Sequence, residues 1–332
     1  MIRTFSRFGA FALCLALLLG AFTACNISFE GGQEDGRPYV VCTVFPQYDF
    51  LRNIAGDKVR AEMLMMPGTE THSFGLKDIS IAKLDELHEA DLFLFVGGES
   101  DGALMEELQS SIKSDAVYKT MLSMIDEPLC NDATPGKEEE EHDHDHDHDH
   151  DHDHEEEFDE HVWTSPKRAM ELVEGILAEL VQIDPENASF YEENAKAYKE
   201  KLAVLDGKFE ELKEKKTFNT LIFADRFPFR YLCNDYGILA DAAFLGCSSA
   251  VEPSLTTLDA LYKKASELGL PAILYMENSN PSYAEALAKR TGGQAMMLHS
   301  CHILSEKDFE SQDYISLMEQ NLNVLKIALG AE

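Results

Sequence analysis

The feature that most constrains the fold is an alternation between short, uninterrupted apolar runs and segments with helical periodicity. YVVCTVF (39–45) lies between two prolines, and DLFLFVGG (91–98) ends in paired glycines. Such runs lack polar alternation, which is typical of strands buried on both faces, as in parallel sheets. Because helical segments separate the runs, the sequence predicts right-handed crossovers and a mainly parallel sheet flanked by helices.

The same alternation resumes near the middle of the chain, with TLIFA (220–224), PAILYME (271–277) and QAMMLHS (294–300) as predicted strands. Between the two halves, residues 184–216 carry one apolar stripe with helical spacing, which predicts a helix about 45 Å long at about 1.5 Å per residue. Asp184 is the predicted N-cap of that helix. The predicted fold class is therefore α/β, with two lobes joined by one long rigid helix.

The N-terminus has the pattern of an export signal. Arg3 and Arg7 precede an uncharged apolar run over residues 8–24, which is short for a membrane span. Cys25 follows directly, and this arrangement resembles a bacterial lipoprotein signal, with cleavage before Cys25 and acylation of its sulfur. The expected location is extracytoplasmic, anchored to the cell membrane. The alternative is an ordinary signal peptide followed by a chance cysteine.

These patterns divide the chain into five predicted parts, with an acidic, histidine-rich loop inside the third. They are a signal peptide (1–24), a tether (25–37), an N-terminal lobe (38–183, with the loop at 135–158), the linking helix (184–216) and a C-terminal lobe (217–332).

The loop carries a strict alternation of histidine and aspartate, called the histidine run below. Residues 138–160 hold fifteen acidic residues and no basic ones, and the whole chain has a formal charge of −33. This charge argues against nucleic-acid binding and suits a cationic ligand. The run has no apolar side chains to bury, so it is predicted to be disordered. It is also predicted to bind zinc weakly, as an accessory to the main metal site. A solvated insertion of no consequence is the alternative. Its histidines are His142, His144, His146, His148, His150, His152 and His154.

Ligands of open α/β sheets bind beyond the carboxyl ends of the strands. His72, His161, Asp225, His299 and His302 all follow predicted strands or directly precede a helix at such an end. Imidazole with carboxylate suits zinc, or manganese where carboxylates dominate. Each of these side chains, taken alone, is also compatible with an ordinary surface or hydrogen-bonding role.

The cysteines do not indicate a zinc ribbon or a complete set of disulfides, because five remain after residue 25 and none has CxxC spacing. Cys42 lies in an apolar strand pattern and is expected in the core. A disulfide between Cys247 and Cys301 is compatible with their loop-like contexts but is not established by them.

At PGTETHSF (67–74), DEHVWTSP (159–166) and SYAEALAKRTGG (282–293) the sequence resembles the zinc- and manganese-binding solute-binding lipoproteins of bacterial ABC importers. The resemblance runs from about Tyr39 to Leu329. It implies a monomer that captures Zn²⁺, or alternatively Mn²⁺, in the interlobe cleft and delivers it to an ABC permease and its ATPase. It also implies that His72 and His161 are metal ligands.

Two positions depart from the family pattern. The family's third ligand is usually a histidine after the first strand of the C-terminal lobe, where Ala224 stands here with Asp225 beside it. The fourth is usually a carboxylate after a late strand, where His299 stands, with His302 as the alternative. The resemblance thus implies an exchange, with Asp225 and His299 as the third and fourth ligands.

Other readings of these residues remain open. Asp225 can instead pair with Arg226 or Arg230, or cap the following helix. Glu99 is a candidate acceptor for a ligand imidazole, or the base of a zinc enzyme using the same ligands. Four protein ligands would leave no open coordination position and no HExxH motif is present, so an enzyme is not expected. A metal buffer without a permease is the remaining alternative.

Overall fold

The computed structural model describes residues 36–69, 74–98, 100–112, 115–131, 158–244 and 252–331. Within these residues the strands form two four-stranded sheets, and every pair of neighbouring strands is parallel. The strands are β1 (Tyr39–Cys42), β2 (Arg60–Met63), β3 (Leu92–Phe95), β4 (Val117–Thr120), β5 (Thr220–Phe223), β6 (Leu239–Ala242), β7 (Ala272–Met276) and β8 (Gln294–Leu298).

The two sheets have the same topology. Their strand orders are β2-β1-β3-β4 and β6-β5-β7-β8, so each half of the chain begins with a strand that becomes internal to its sheet. The predicted α/β architecture with parallel sheets is confirmed. Its helices are α1 (Phe45–Ala55), α2 (Ile81–Leu87), α3 (Gly102–Ile112), α4 (Pro166–Ile183), α5 (Ala188–Lys215), α6 (Arg230–Asp235), α7 (Leu255–Leu268), α8 (Ser282–Thr291), α9 (Glu306–Ser311) and α10 (Tyr314–Ala328).

The internal strands are apolar throughout because both faces of each sheet are covered. In β1, Val40 and Cys42 pack into a central hydrophobic core, while Tyr39 and Val41 pack into a second core on the other face. The period-two alternation of side chains thus divides one apolar run between two cores. Cys42 is fully buried, which confirms its predicted role and raises the pKa of its thiol.

Helix α5 provides the continuity between the halves. Its stripe of buried residues lies in the central core together with residues of β1, β3, β5 and β7, so a single hydrophobic cluster extends across both sheets. The predicted long helix with one apolar stripe is confirmed. No helix in the described ranges is long and apolar enough to cross a membrane. The buried stripe consists of Tyr191, Ala195, Tyr198, Leu202, Leu205, Phe209 and Leu212.

The start of α5 differs from the prediction. Pro185–Asn187 forms a 3₁₀ turn, and the α-helix begins only at Ala188. Asn187, not the predicted Asp184, is therefore the N-cap of the α-helix. One carboxylate oxygen of Asp184 instead accepts hydrogen bonds from the Asn187 side-chain amide at 2.7 Å and from the Tyr191 hydroxyl at 2.5 Å.

Candidate metal site

Segments that follow the strands of both sheets meet at one place. The Trp163 indole Nε1 donates a 2.8 Å hydrogen bond to the Ser300 carbonyl, and the Gly68 amide donates to the Leu304 carbonyl at 2.7 Å. Trp163 and Gly68 belong to the first half, whereas Ser300 and Leu304 follow β8. The carboxyl ends of the two sheets therefore face a common region, as expected for ligand binding in α/β folds.

Two of the predicted histidines, one from each half, come together there. The ring centroids of His161 and His302 lie 5.5 Å apart, with the ring planes at 77°. Trp163 contacts both, with its ring centroid 5.5 Å from that of His161 and 5.3 Å from that of His302. All three side chains are buried, so the imidazoles are oriented by packing as well as by polar contacts.

His161 is oriented by a buried carboxylate. Asp159 Oδ1 accepts a hydrogen bond from the His161 backbone amide at 2.9 Å and lies 3.2 Å from its ring Nδ1. Arg230 Nε is 3.6 Å from the other Asp159 oxygen. Although burial acts to raise it, His161 and Arg230 lower the pKa of the Asp159 carboxyl. With Nδ1 directed at Asp159, Nε2 is the His161 nitrogen that would coordinate a metal.

The turn after β8 distinguishes the two histidines of HSCH (299–302). His299 Nδ1 accepts the Cys301 backbone amide at 2.8 Å, and the His299 amide donates to Asn321 Oδ1 at 2.8 Å. Cys301 has a left-handed backbone, with φ of 61°, which is uncommon for a side chain with a Cβ. The His302 imidazole is the one in contact with His161. Of the two, the structure thus places the predicted alternative, His302, next to His161.

Two buried glutamates that the sequence analysis did not select hold this region. Glu277 accepts hydrogen bonds from the Ser300 amide, at 2.8 Å, and from the Ser300 hydroxyl. Glu160 accepts the corresponding pair from the Ser100 amide, at 2.8 Å, and the Ser100 hydroxyl. Glu277 directly follows β7, so its position at a strand end is the signal that could have identified it.

The Asp225 carboxylate accepts two backbone hydrogen bonds and lies next to an arginine. Its Oδ2 accepts the Met276 amide at 3.0 Å, its Oδ1 accepts the Arg226 amide at 2.8 Å, and Arg226 Nε lies 3.7 Å from Oδ1. These contacts match the alternative reading, in which Asp225 pairs with Arg226. Its role as a metal ligand stays a prediction.

Several predicted residues lie outside the described ranges. In the described ranges, no group of three or more His, Cys, Asp or Glu side chains is arranged to hold a metal ion. Thr69, three residues before His72, lines a small cavity together with His302. The predicted residues outside the described ranges are His72, Glu99, Cys25, Cys247 and the seven histidines of the run.

His88 and Cys301 lie in contrasting surroundings. His88 is exposed at the end of α2, and its Nδ1 lies 2.8 Å from the Leu84 carbonyl. Cys301 is a fully buried free thiol, and burial raises its pKa well above the ordinary value.

The geometry of the two imidazoles fits a shared zinc ion. Two imidazoles on one tetrahedral zinc, with Zn–N about 2.0–2.1 Å, place their ring centroids roughly 5 Å apart. The observed centroid separation of 5.5 Å for His161 and His302 is close to that value. The centroid separation is thus compatible with two nitrogen ligands of one ion.

The chain has relatives over nearly its whole length. It is 35% identical over 320 residues to the zinc-binding lipoprotein AdcA of Streptococcus pneumoniae, covering 95% of this chain and 60% of AdcA. It is 32% identical over 325 residues to the high-affinity zinc uptake system protein ZnuA of Bacillus subtilis, covering 97% of both. This chain thus spans about 60% of the length of the AdcA relative.

A solved structure shares the fold. The Zn(II)-bound ZnuA-like domain of S. pneumoniae AdcA superposes with a TM-score of 0.68 and 28% identity, covering 89% of this chain and 99% of that domain. A family model described as "ZnuA: Zinc-uptake complex component A periplasmic" matches residues 40–328. Because the match includes both sheets and the segments that carry His161 and His302, the chain belongs to the ZnuA family.

Proposed function

We propose that this protein captures a zinc ion outside the cytoplasm and delivers it to an ABC permease and its ATPase. The observation that carries the proposal is the buried pair of imidazoles, His161 from one half and His302 from the other, at a separation suited to one metal ion. The names of the relatives, a zinc-binding lipoprotein and a zinc uptake system protein, support zinc as the cargo.

The proposed ligand set begins with His161 and His302 and includes His72, whose chain segment follows Thr69 beside His302. His302 takes the position for which His299 was predicted and His302 was the alternative, and Asp225 is the remaining predicted ligand. Three imidazoles favour zinc over manganese, because manganese prefers carboxylate and carbonyl oxygens. Four protein ligands would close the coordination shell, which suits capture and release of an ion rather than catalysis on it.

We propose that the protein is a monomer anchored to the membrane by a lipid. Cleavage before Cys25 and acylation of that residue would tether the folded part to the membrane through residues 25–37, with lobes at 38–183 and 217–332 and the linking helix at 184–216. The description of one relative as a lipoprotein supports this anchor. The histidine run would collect or buffer metal near the site without forming it, because a flexible loop loses entropy for each residue it orders.

The test is zinc binding by the full chain in competition with a chelator strong enough to keep the histidine run empty. His161→Ala and His302→Ala should each weaken the tight site by more than the roughly 10–100-fold typical of outer-shell changes, since each removes a ligand. His88→Ala, which alters an exposed histidine at a helix end, is the matched control and should bind as wild type.

Two further variants locate the remaining ligand and the site itself. If His299→Ala abolishes tight binding while His302→Ala does not, the turn presents the other histidine and the assignment is wrong. If deletion of residues 138–157 removes tight binding, the run forms the site and cleft capture is refuted. Manganese titrated in the same assay should bind more weakly than zinc.

A further inference from the structure

We infer that Glu277 is a positioning residue of the zinc site, which fixes His302 opposite His161 without itself binding the ion. The inference rests on the proposed function and adds a residue that controls the geometry of the site. It starts from the position of Glu277, a buried carboxylate directly after β7 whose hydrogen-bond partners lie in the histidine-bearing turn after β8.

The contacts of Glu277 lead to both His302 and Trp163 through a single serine. Glu277 binds the amide and the hydroxyl of Ser300. The Ser300 hydroxyl oxygen in turn accepts the His302 backbone amide at 3.2 Å, and the Ser300 carbonyl accepts the Trp163 indole at 2.8 Å. Displacing the Glu277 carboxylate would therefore release Ser300. Ser300 in turn holds the backbone of His302 and the indole of Trp163, which packs against both imidazoles.

The turn needs such an anchor because its backbone is strained. Cys301, between Ser300 and His302, has φ of 61°, and conformations of this kind in residues other than glycine persist only where surrounding contacts enforce them. Cys301 is also fully buried. Without the Glu277 contacts, relaxation of this residue toward ordinary backbone angles would reorient His302, the next residue in the chain.

The other half of the molecule has the same device. Glu160, the residue before His161, accepts the amide and the hydroxyl of Ser100 in the same pattern. His161 directly follows the glutamate of its pair, and the backbone amide of His302 donates a hydrogen bond to the serine hydroxyl of its pair. The recurrence in both halves indicates that these carboxylates set the separation of the imidazoles.

The decisive comparison is between Glu277→Gln and Glu277→Ala. The amide of Gln keeps an acceptor for the Ser300 amide and a donor for the Ser300 hydroxyl oxygen, but it is a poor zinc ligand. A positioning role predicts that Glu277→Ala weakens zinc binding by about 10–100-fold, whereas Glu277→Gln stays within a few-fold of wild type. Affinity is measured on the full chain by chelator competition.

The spectroscopic readout is the visible absorption of one equivalent of Co²⁺, used as a probe for zinc, under the same competition. Its ligand-field bands should change in Glu277→Ala, because His302 is displaced, and remain as in wild type in Glu277→Gln. The matched control is Glu179→Ala, which removes another buried glutamate, paired with Lys119 at 3.0 Å. That variant should lose thermal stability without altering affinity or spectrum.

Three results would overturn the inference. Equal, large losses in both Glu277 variants would make Glu277 a ligand. Wild-type affinity in Glu277→Ala would remove any role at the site. Lowered thermal stability of metal-free Glu277→Ala, with an unchanged Co²⁺ spectrum and affinity, would make the residue merely structural. Absence of tight zinc binding in the wild-type chain would instead refute the proposed function, so the two failures are distinguishable.

Discussion

Asp49 gives a prediction whose magnitude follows from its surroundings. The residue lies on α1, and its carboxylate accepts a 2.9 Å hydrogen bond from the Tyr198 hydroxyl of α5. Burial raises the pKa of Asp49 to about 6, against the opposing hydrogen bonds from Tyr198 and the Tyr314 amide and the charge of Arg52. Asp313, the N-cap of α10, adds to the increase because it is a second negative charge nearby.

A carboxyl whose pKa is raised in the folded state binds its proton more tightly there than in the unfolded chain. Stability is therefore lost as the pH rises from about 4 to about 6, and the full cost applies above that range. At about 1.4 kcal/mol per pKa unit, an increase from 3.8 to about 6 corresponds to a cost on the order of 3 kcal/mol for ionised Asp49.

Asp49→Asn removes this cost because the amide carries no charge. The amide oxygen can still accept the hydrogen bond from the Tyr198 hydroxyl. We expect the free energy of unfolding to rise by about 2–3 kcal/mol at pH 7.5 and to match wild type near pH 4. Urea unfolding of the metal-free protein with a chelator measures both values, and histidine titration cancels in the comparison. Asp85→Asn, at an exposed position on α2, should change neither. No stabilisation at pH 7.5, or an equal advantage at pH 4, would refute the reasoning.

Two substitutions test the framework around the imidazoles. In Gly98→Ala the new Cβ would lie 2.5 Å from Glu160 Cγ, so the Glu160 carboxylate must move away from Ser100. Zinc affinity, measured by chelator competition, should then fall roughly 10-fold. Unchanged affinity would contradict this. Trp163→Phe removes the donor to the buried Ser300 carbonyl and should cost about 1–3 kcal/mol of unfolding free energy in urea, so a change below about 0.5 kcal/mol would count against it.

The fold could be predicted where burial is complete on both faces. Strands β1, β3, β5 and β7 are internal to their sheets, and their continuous apolar runs identify them. The prediction missed β4 and β6, which are edge strands. β4 reads VYKT and is half-buried throughout, and β6 reads LADA, in which small and polar residues weaken the apolar signal. The edge strand β8 was predicted because it carries the apolar run AMML, whereas β4 and β6 have no such run, since an edge strand can form with less apolar surface.

The site was predictable only to the level of segments. The motif around His161 identified one ligand candidate, and the position after a late strand identified the turn that holds His299 and His302. Which histidine contacts His161 depends on the left-handed backbone of Cys301 and on Ser300 being held by Glu277. Those contacts join residues 23 positions apart in the chain, and spacing along the sequence does not report them.

The arrangement of the cores limits how an ion could leave the site. The central hydrophobic core extends without interruption from β1 through α5 to β7, so a wide hinge motion between the halves would expose much of that buried apolar surface. The segments beyond the strand ends are held by individual hydrogen bonds, such as that from Gly68 to Leu304. Breaking a few such bonds costs far less than opening the core, at about 1 kcal/mol each. Under the proposed function, release of zinc to a permease should therefore proceed by local displacement of these segments, and movement of the turn that carries His302 would remove a proposed ligand.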